Sequence, residues 1–239
     1  MARALLTIDC GNSTIRCRDD DGAVWQTASP APDFATLDAF VAGRRPRAIA
    51  VSVVPAALAA LRAALQRLGI AVEVAGTDLP CPLSLAYDTV DTLGADRWLG
   101  AFAAHQRFGA AITVDCGTAT TVNVVDASGA FRGGAIAPGL SAFVAGMRAT
   151  APALPPADLD ATVAFPAPST QGCVDAGVLL GWAGLVERLV AEARVGAPDA
   201  ALVVTGGNAQ RLLARTPMRA EHRPDLLHDG LRALAAVPR

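Results

Sequence analysis

Residues Ile112-Thr113-Val114-Asp115-Cys116-Gly117-Thr118-Ala119-Thr120-Thr121 decide how this chain is read. A β-branched apolar run ends in an acid, and a glycine and a group of hydroxyls follow. Such a run predicts a strand, and the residues after it predict a turn that exposes backbone N–H groups. Nearly the same pattern opens the chain: Leu6-Thr7-Ile8-Asp9-Cys10-Gly11-Asn12-Ser13. Asp9 and Asp115 are 106 residues apart in a chain of 239. Two copies at that spacing suggest a duplicated domain with a site between the halves.

Working outward from the two copies, each is followed by a hairpin pattern. After the first come Ile15–Arg18, the turn Asp19-Asp20-Asp21-Gly22 and Ala23-Val24-Trp25; after the second come Val122–Val125, Asp126-Ala127-Ser128-Gly129 and Ala130–Ile136. A Rossmann fingerprint differs, because there a helix follows the glycines at once. Strand patterns at 48–54 and 70–74 alternate with helix patterns at 34–42 and 56–68, the latter carrying Leu58, Leu61, Leu65 and Leu68 before Gly69. Leu93-Gly94-Ala95-Asp96-Arg97-Trp98 opens an alanine-rich helix. A long helix is predicted over 173–193, and the strand 200–204 runs into Thr205-Gly206-Gly207-Asn208. Alternating strands and helices indicate an α/β fold. The expected boundary gives an N-terminal domain at 1–108 and a C-terminal domain at 109–239.

Composition removes several classes of function. Hydrophobic residues make up 52% of the chain, enough for true cores. Net charge is −2 with no basic block, so no nucleic-acid partner is indicated. No apolar run approaches the roughly 18 residues of a membrane span, and Met1–Leu6 runs into the first strand without a signal-peptide pattern. Five cysteines without a C-x-x-C point to a reducing, cytoplasmic setting. All 20 basic residues are arginine. Without lysine there is no Walker-type phosphate loop, no protein-kinase strand lysine and no Schiff-base nucleophile.

An aspartate at the C-terminal end of a strand faces the crevice where ligands of α/β folds bind. The glycine after it lets N–H groups approach an anion, and hydroxyls donate to phosphate oxygens. The acid itself holds a cation that neutralises the phosphate. One Asp-x-Gly-hydroxyl is an ordinary strand-to-hairpin turn; two, each after a strand and before a hairpin, read as two loops gripping a polyphosphate. The paired glycines at 206–207 fit a third element, set against a ribose or a planar base.

Taken together, Asp9-Cys10-Gly11-Asn12-Ser13, Asp115-Cys116-Gly117-Thr118 and Gly206-Gly207 resemble the pattern of the actin–hexokinase–Hsp70 superfamily of ATPases. Within it, Leu93–Trp98, Gly133-Gly134-Ala135-Ile136-Ala137-Pro138-Gly139, Val51–Pro55 and Thr150–Pro155 closely resemble type III pantothenate kinase. The resemblance implies an α/β fold of two duplicated ribonuclease-H-like (actin-like ATPase) domains with mixed sheets flanked by helices. It implies ATP-dependent phosphorylation of pantothenate to 4′-phosphopantothenate, the first step of coenzyme A biosynthesis. It implies that Asp9, Cys10, Gly11, Asn12, Ser13, Thr14, Ile15 and Arg16 form the first ATP loop, with Asp9 near Mg²⁺, and that Thr118 contacts ATP. Asp115 is implied as the ligand of a monovalent cation, K⁺ or NH₄⁺. Tyr87, Gly94, Ala95, Asp96, Arg97 and Thr170 are implied to bind pantothenate, Asp96 as general base, at a homodimer interface.

Elementary chemistry agrees with those roles. Asp96 is placed to accept the proton of a substrate hydroxyl, and Arg97 to hold a carboxylate bidentately. The bland alternatives are a helix-start acid with a surface ion pair for Asp96–Arg97, a partly buried aromatic for Tyr87 and an N-cap for Thr170. Two positions depart from the family: Arg16 stands where lysine is frequent, and Asp88-Thr89 where Asn-Pro often follows the tyrosine. Rival readings are a superfamily kinase for another small alcohol and a non-catalytic regulatory accessory factor. Cys10 and Cys116 read as small core residues, and His105, His222 and His228 as structural or exposed.

Overall fold

The structure is a computed structural model that describes residues 4–238. The chain forms two compact units: one runs to Gln106 and regains the chain from Asp225, the other spans Arg107–Pro224. The sequence pattern assigns 109–239 to the second half. The difference is the C-terminal helix, where buried Leu226 lies beside Gly100 and Gly230 lies against Leu99 of the first unit.

In the first unit, β1 (Leu5–Cys10), β2 (Thr14–Arg18) and β3 (Val24–Ala28) form an antiparallel meander. β4 (Arg47–Ser52) and β5 (Val72–Val74) join in parallel, giving the order β3-β2-β1-β4-β5. Strand alternation sends Leu6, Ile8 and Cys10 into a core shared with α1 (Leu37–Val41) and α2 (Pro55–Arg67), which contributes Leu61 and Leu65. Proline opens α2, where a missing N–H costs nothing, and Gly69 after it is left-handed at φ +73°. The helix expected over 34–42 is shorter: Phe34 instead stacks on Trp25, ring centroids 5.9 Å apart. After the short β6 (Ser84–Leu85) and a 3₁₀ turn at Val90–Thr92, α3 (Ala95–Phe108) begins within the Gly-Ala-Asp-Arg segment.

The second unit repeats the plan. β7 (Ala111–Cys116), β8 (Ala119–Val125) and β9 (Ala130–Pro138) form the meander, and β10 (Ala201–Thr205) and β11 (Glu221–His222) join in parallel. The strands lie in the order β11-β10-β7-β8-β9, the mirror listing of the first unit's order. Asp9 lies opposite Val51, and Asp115 opposite Thr205, one residue before the end of each strand. Helices α4 (Leu140–Thr150), α5 (Thr170–Gly196) and α6 (Ala209–Leu213) complete the unit, and α7 (Leu226–Ala235) belongs to the first. Trp182 of α5 is fully buried in one core with Ile112, Val114 and Cys116, the apolar part of the stretch 112–121. The helix expected over 173–193 starts earlier because Ser169 caps it: its Oγ accepts from the Gly172 N–H at 3.1 Å.

Candidate active site

The first loop is braced from within. The Gly11 N–H donates to the Thr14 carbonyl at 3.0 Å, and Ser29 donates from Oγ to the Gly11 carbonyl at 2.6 Å and from its N–H to the Ser13 carbonyl at 3.0 Å. Asn12, Ser13 and Thr14 remain exposed, while Asp9 is half-buried at the end of β1. Cys10 and Ile15 are fully buried in the core, so only their backbone is available to a ligand. Burial, reinforced by the Asp9 charge and opposed by a hydrogen bond with Ser52, pushes the Cys10 thiol up to about 12. It stays protonated and packs as a small apolar group. Arg16 points at the C-terminal segment: its Nη1 lies 3.4 Å from Asp225 Oδ1. No signal near Asp225 in the sequence marks it as a neighbour of this loop.

The Gly-Ala-Asp-Arg segment and Tyr87 come together. The Arg97 guanidinium is 5.7 Å from the centroid of the Tyr87 ring, with Nη1 3.3 Å from its hydroxyl. Arg97 is only 7% exposed, so its charge is buried and not at the surface. The Asp96 carboxylate turns back on its own helix: Oδ1 accepts from the Arg97 N–H at 2.9 Å. Gly94 makes room for it, because a Cβ there would stand 2.6 Å from Oδ1. Burial holds the Asp96 carboxyl above the usual carboxylate range, although the Arg97 N–H and the Arg97 charge pull the other way. A carboxylate so placed is a stronger base than an exposed one.

The second loop is tighter than the first. β8 begins at Ala119, so only Gly117 and Thr118 separate it from β7. Of the hydroxyls in the stretch, Thr118 is exposed, whereas Thr120 is fully buried and accepts from Trp182 Nε1 at 3.0 Å. Thr120 is therefore a structural hydroxyl. Two glycines fix the loop's surroundings. A Cβ on Gly139, just before α4, would collide with the Thr118 and Gly117 carbonyls. Gly206, at φ +90°, passes so close to Asp115 that a Cβ would collide with Oδ1 and the Cys116 backbone. Asn208 then donates from its backbone N–H to the Cys116 carbonyl at 3.0 Å. The Gly-Gly element and the Asp115 loop thus form one packed piece, a juxtaposition that spacing alone does not reveal. Thr170, also in this unit, is exposed at the start of α5 and is not its cap, which is Ser169.

The donor sets suit a nucleotide with its cations. Among the described residues no group of three or more His, Cys, Asp or Glu side chains could cage a metal. Mg²⁺ needs no such cage, since it is held by one or two carboxylates together with substrate phosphates. Asp9, half-buried beside a loop of exposed amides and hydroxyls, fits that description. Asp115, with the backbone of residues 116, 117 and 206 crowded around it, offers oxygen ligands to a cation of low charge density.

The chain is similar to proteins already known. The chain is 38% identical to a type III pantothenate kinase of Acidiphilium cryptum (strain JF-5), over 96% of this chain and 93% of that one. Among solved structures, it superposes on a chain from Campylobacter jejuni named for the Baf family of transcriptional activators, with TM-score 0.63 at 20% identity, covering 96% of each. It also superposes on MreB 5 of Spiroplasma citri bound to AMPPNP, with TM-score 0.52 at 10% identity, covering 98% of this chain and 96% of the other. These structural likenesses show the fold alone, two ribonuclease-H-like α/β domains. The profile of one family covers residues 5–192, both Asp-x-Gly motifs and the Gly-Ala-Asp-Arg segment included, and so the chain belongs to the type III pantothenate kinases.

Proposed function

We propose that this protein transfers the γ-phosphoryl group of ATP to the 4′-hydroxyl of pantothenate, the first step of coenzyme A biosynthesis. The observation that carries the reading is the half-buried Asp96 beside the Arg97–Tyr87 pair, in a chain that matches this kinase family over most of its length. Phosphoryl transfer has a loose transition state, so positioning and charge neutralisation supply most of the rate. Asp96 accepts the proton of the attacking hydroxyl. Its raised affinity for protons, set by burial, matches that task. Arg97, held by Tyr87, presents a cation to the substrate carboxylate. Gly94 and Ala95 let the substrate approach the helix start, and Thr170 adds a hydroxyl.

The exposed loop Asn12–Thr14 and the backbone of Asp9–Arg16 bind the phosphates, and Thr118 contacts the nucleotide. Asp9, together with the phosphates, would hold Mg²⁺, which would supply positive charge against the charge developing on the leaving oxygens. Asp115 holds the monovalent cation, K⁺ or NH₄⁺. The working form is a homodimer with the substrate site at its interface, in the cytoplasm. Among the described residues no helix is long and apolar enough to cross a membrane.

The test is a coupled assay with ATP and pantothenate, run in K⁺ and then in Na⁺. Turnover in K⁺ with little in Na⁺ is the expected result. Folded protein that turns over pantothenate in neither salt overturns the proposal.

A further inference from the structure

Helix α7 meets the strands of the first phosphate loop at two points. At its start, Asp225 stands between two arginines of β2: Arg16 Nη1 is 3.4 Å from Oδ1, and Arg18 Nη1 donates to Oδ2. Three residues on, His228 Nδ1 lies 2.9 Å from Thr7 Oγ1. The Thr7 hydroxyl donates to the Arg18 carbonyl at 3.1 Å, so it accepts from an Nδ1–H of His228. The β1–β2 register sets Arg16 opposite Asp9 and Arg18 opposite Thr7. All four side chains therefore leave the sheet on the face opposite Leu6, Ile8 and Cys10. Arg16 is the last residue of the loop stretch 9–16, and its guanidinium is located by a carboxylate 209 positions later.

Two further observations separate this from ordinary helix capping. Asp225 occupies the N-cap position of α7, yet its side chain makes no capping hydrogen bond. Its Oδ2 accepts from Arg18 instead, and its Oδ1, without a hydrogen bond among the described residues, lies in ion-pair range of Arg16. Arg16 Nε is buried without a partner among the described residues. The guanidinium is located by the coulombic pairing of its Nη1 with Asp225 at 3.4 Å, not by a full set of hydrogen bonds. Burial pushes the Asp225 carboxyl up, but Arg18 and then Arg16 outweigh it and keep it below the usual range, so it is ionised at neutral pH.

We infer that Asp225 is a positioning residue for the nucleotide, acting through Arg16 on the first phosphate loop. The inference rests on the reading of Asp9–Arg16 as that loop. A long arginine side chain without an anchor samples many rotamers, and its charge is then no longer kept beside the phosphates. Asp225 removes that freedom before the nucleotide arrives.

The experiment compares Asp225→Asn, Asp225→Glu and His228→Gln with the unaltered chain. Binding of Mg·AMPPNP is measured by calorimetry, KM for ATP and for pantothenate by turnover, and the unfolding temperature by scanning. Asp225→Asn weakens Mg·AMPPNP binding about tenfold, the effect of one misplaced charge-assisted contact, and raises KM for ATP alone. Asp225→Glu recovers most of the loss. His228→Gln loosens the other contact of the same helix, lowers the unfolding temperature and leaves nucleotide binding unchanged. A lowered unfolding temperature in Asp225→Asn with unchanged Mg·AMPPNP affinity overturns the role, as does an equal loss of affinity in His228→Gln. If the unaltered chain binds Mg·AMPPNP but does not turn over pantothenate, the substrate assignment falls and the binding comparison still decides Asp225. An unaltered chain that binds no Mg·AMPPNP overturns the loop reading and this role together.

Discussion

The guanidinium of Arg97 lies over the ring of Tyr87, 5.7 Å from its centroid, with Nη1 3.3 Å from the phenolic oxygen. This pair joins a buried residue in the first turn of α3 to the irregular segment before it. It holds the guanidinium of Arg97, next to Asp96, by ring and hydroxyl together. Removing the hydroxyl while keeping the ring isolates the second contribution. Tyr87→Phe is expected to raise KM for pantothenate roughly tenfold, the loss of about 1.5 kcal/mol from one hydrogen bond to a charged group. KM for ATP stays unchanged. Steady-state kinetics with each substrate varied in turn reads the split, and an ATP-only effect would place Tyr87 elsewhere.

Asp96 carries a carboxyl that burial holds above the usual carboxylate range. A general base works only when deprotonated, so kcat/KM declines on the acid side of the pH profile, through an apparent pKa above the ordinary value of about 3.9. Asp96→Asn removes the base and leaves its shape, and is expected to lower kcat on the order of a hundredfold or more. An acid limb at the ordinary carboxylate value, or near-normal turnover in the Asn variant, would remove Asp96 from this role.

Gly206 approaches Asp115 too closely, and at too positive a φ, for any side chain. Gly206→Ala therefore pushes the Asp115 carboxylate and the Cys116 backbone out of place. The expected result is a higher K⁺ concentration for half-activation, by about tenfold, with a lower unfolding temperature. Titration of turnover with KCl at constant ionic strength checks it. Unchanged K⁺ dependence would locate the cation away from Asp115.

His228 is 3% exposed, and burial first, then the charge of Arg16, lowers its pKa to about 4 from 6.5. The folded protein thus binds fewer protons than the unfolded chain between those values. Stability is fully present above about pH 6.5 and is lost as pH falls towards 4, by on the order of 3 kcal/mol if His228 acted alone. Urea unfolding at a series of pH values in that window shows the slope, and His228→Gln flattens it. A slope unaltered in the variant would assign the acid sensitivity to other groups.

Much of this was legible in the sequence because it rests on local chemistry. The strand-Asp-x-Gly-hydroxyl copies, their hairpins and the Leu-Gly-Ala-Asp-Arg-Trp segment were read from period-2 apolar runs, turn residues and a helix start, and those features depend on neighbours a few residues apart. They were enough for the duplicated α/β fold, the two loops and the family. Tertiary structure decided what needs contacts across long separations. It placed α7 in the first unit and set Asp225 against Arg16. It buried Thr120 under Trp182, leaving Thr118 as the exposed hydroxyl of the second loop, and brought Gly206 onto Asp115. The physical reason is the same in each case. Which of several similar polar groups is buried, and which charge meets which, depends on how elements distant in sequence pack together.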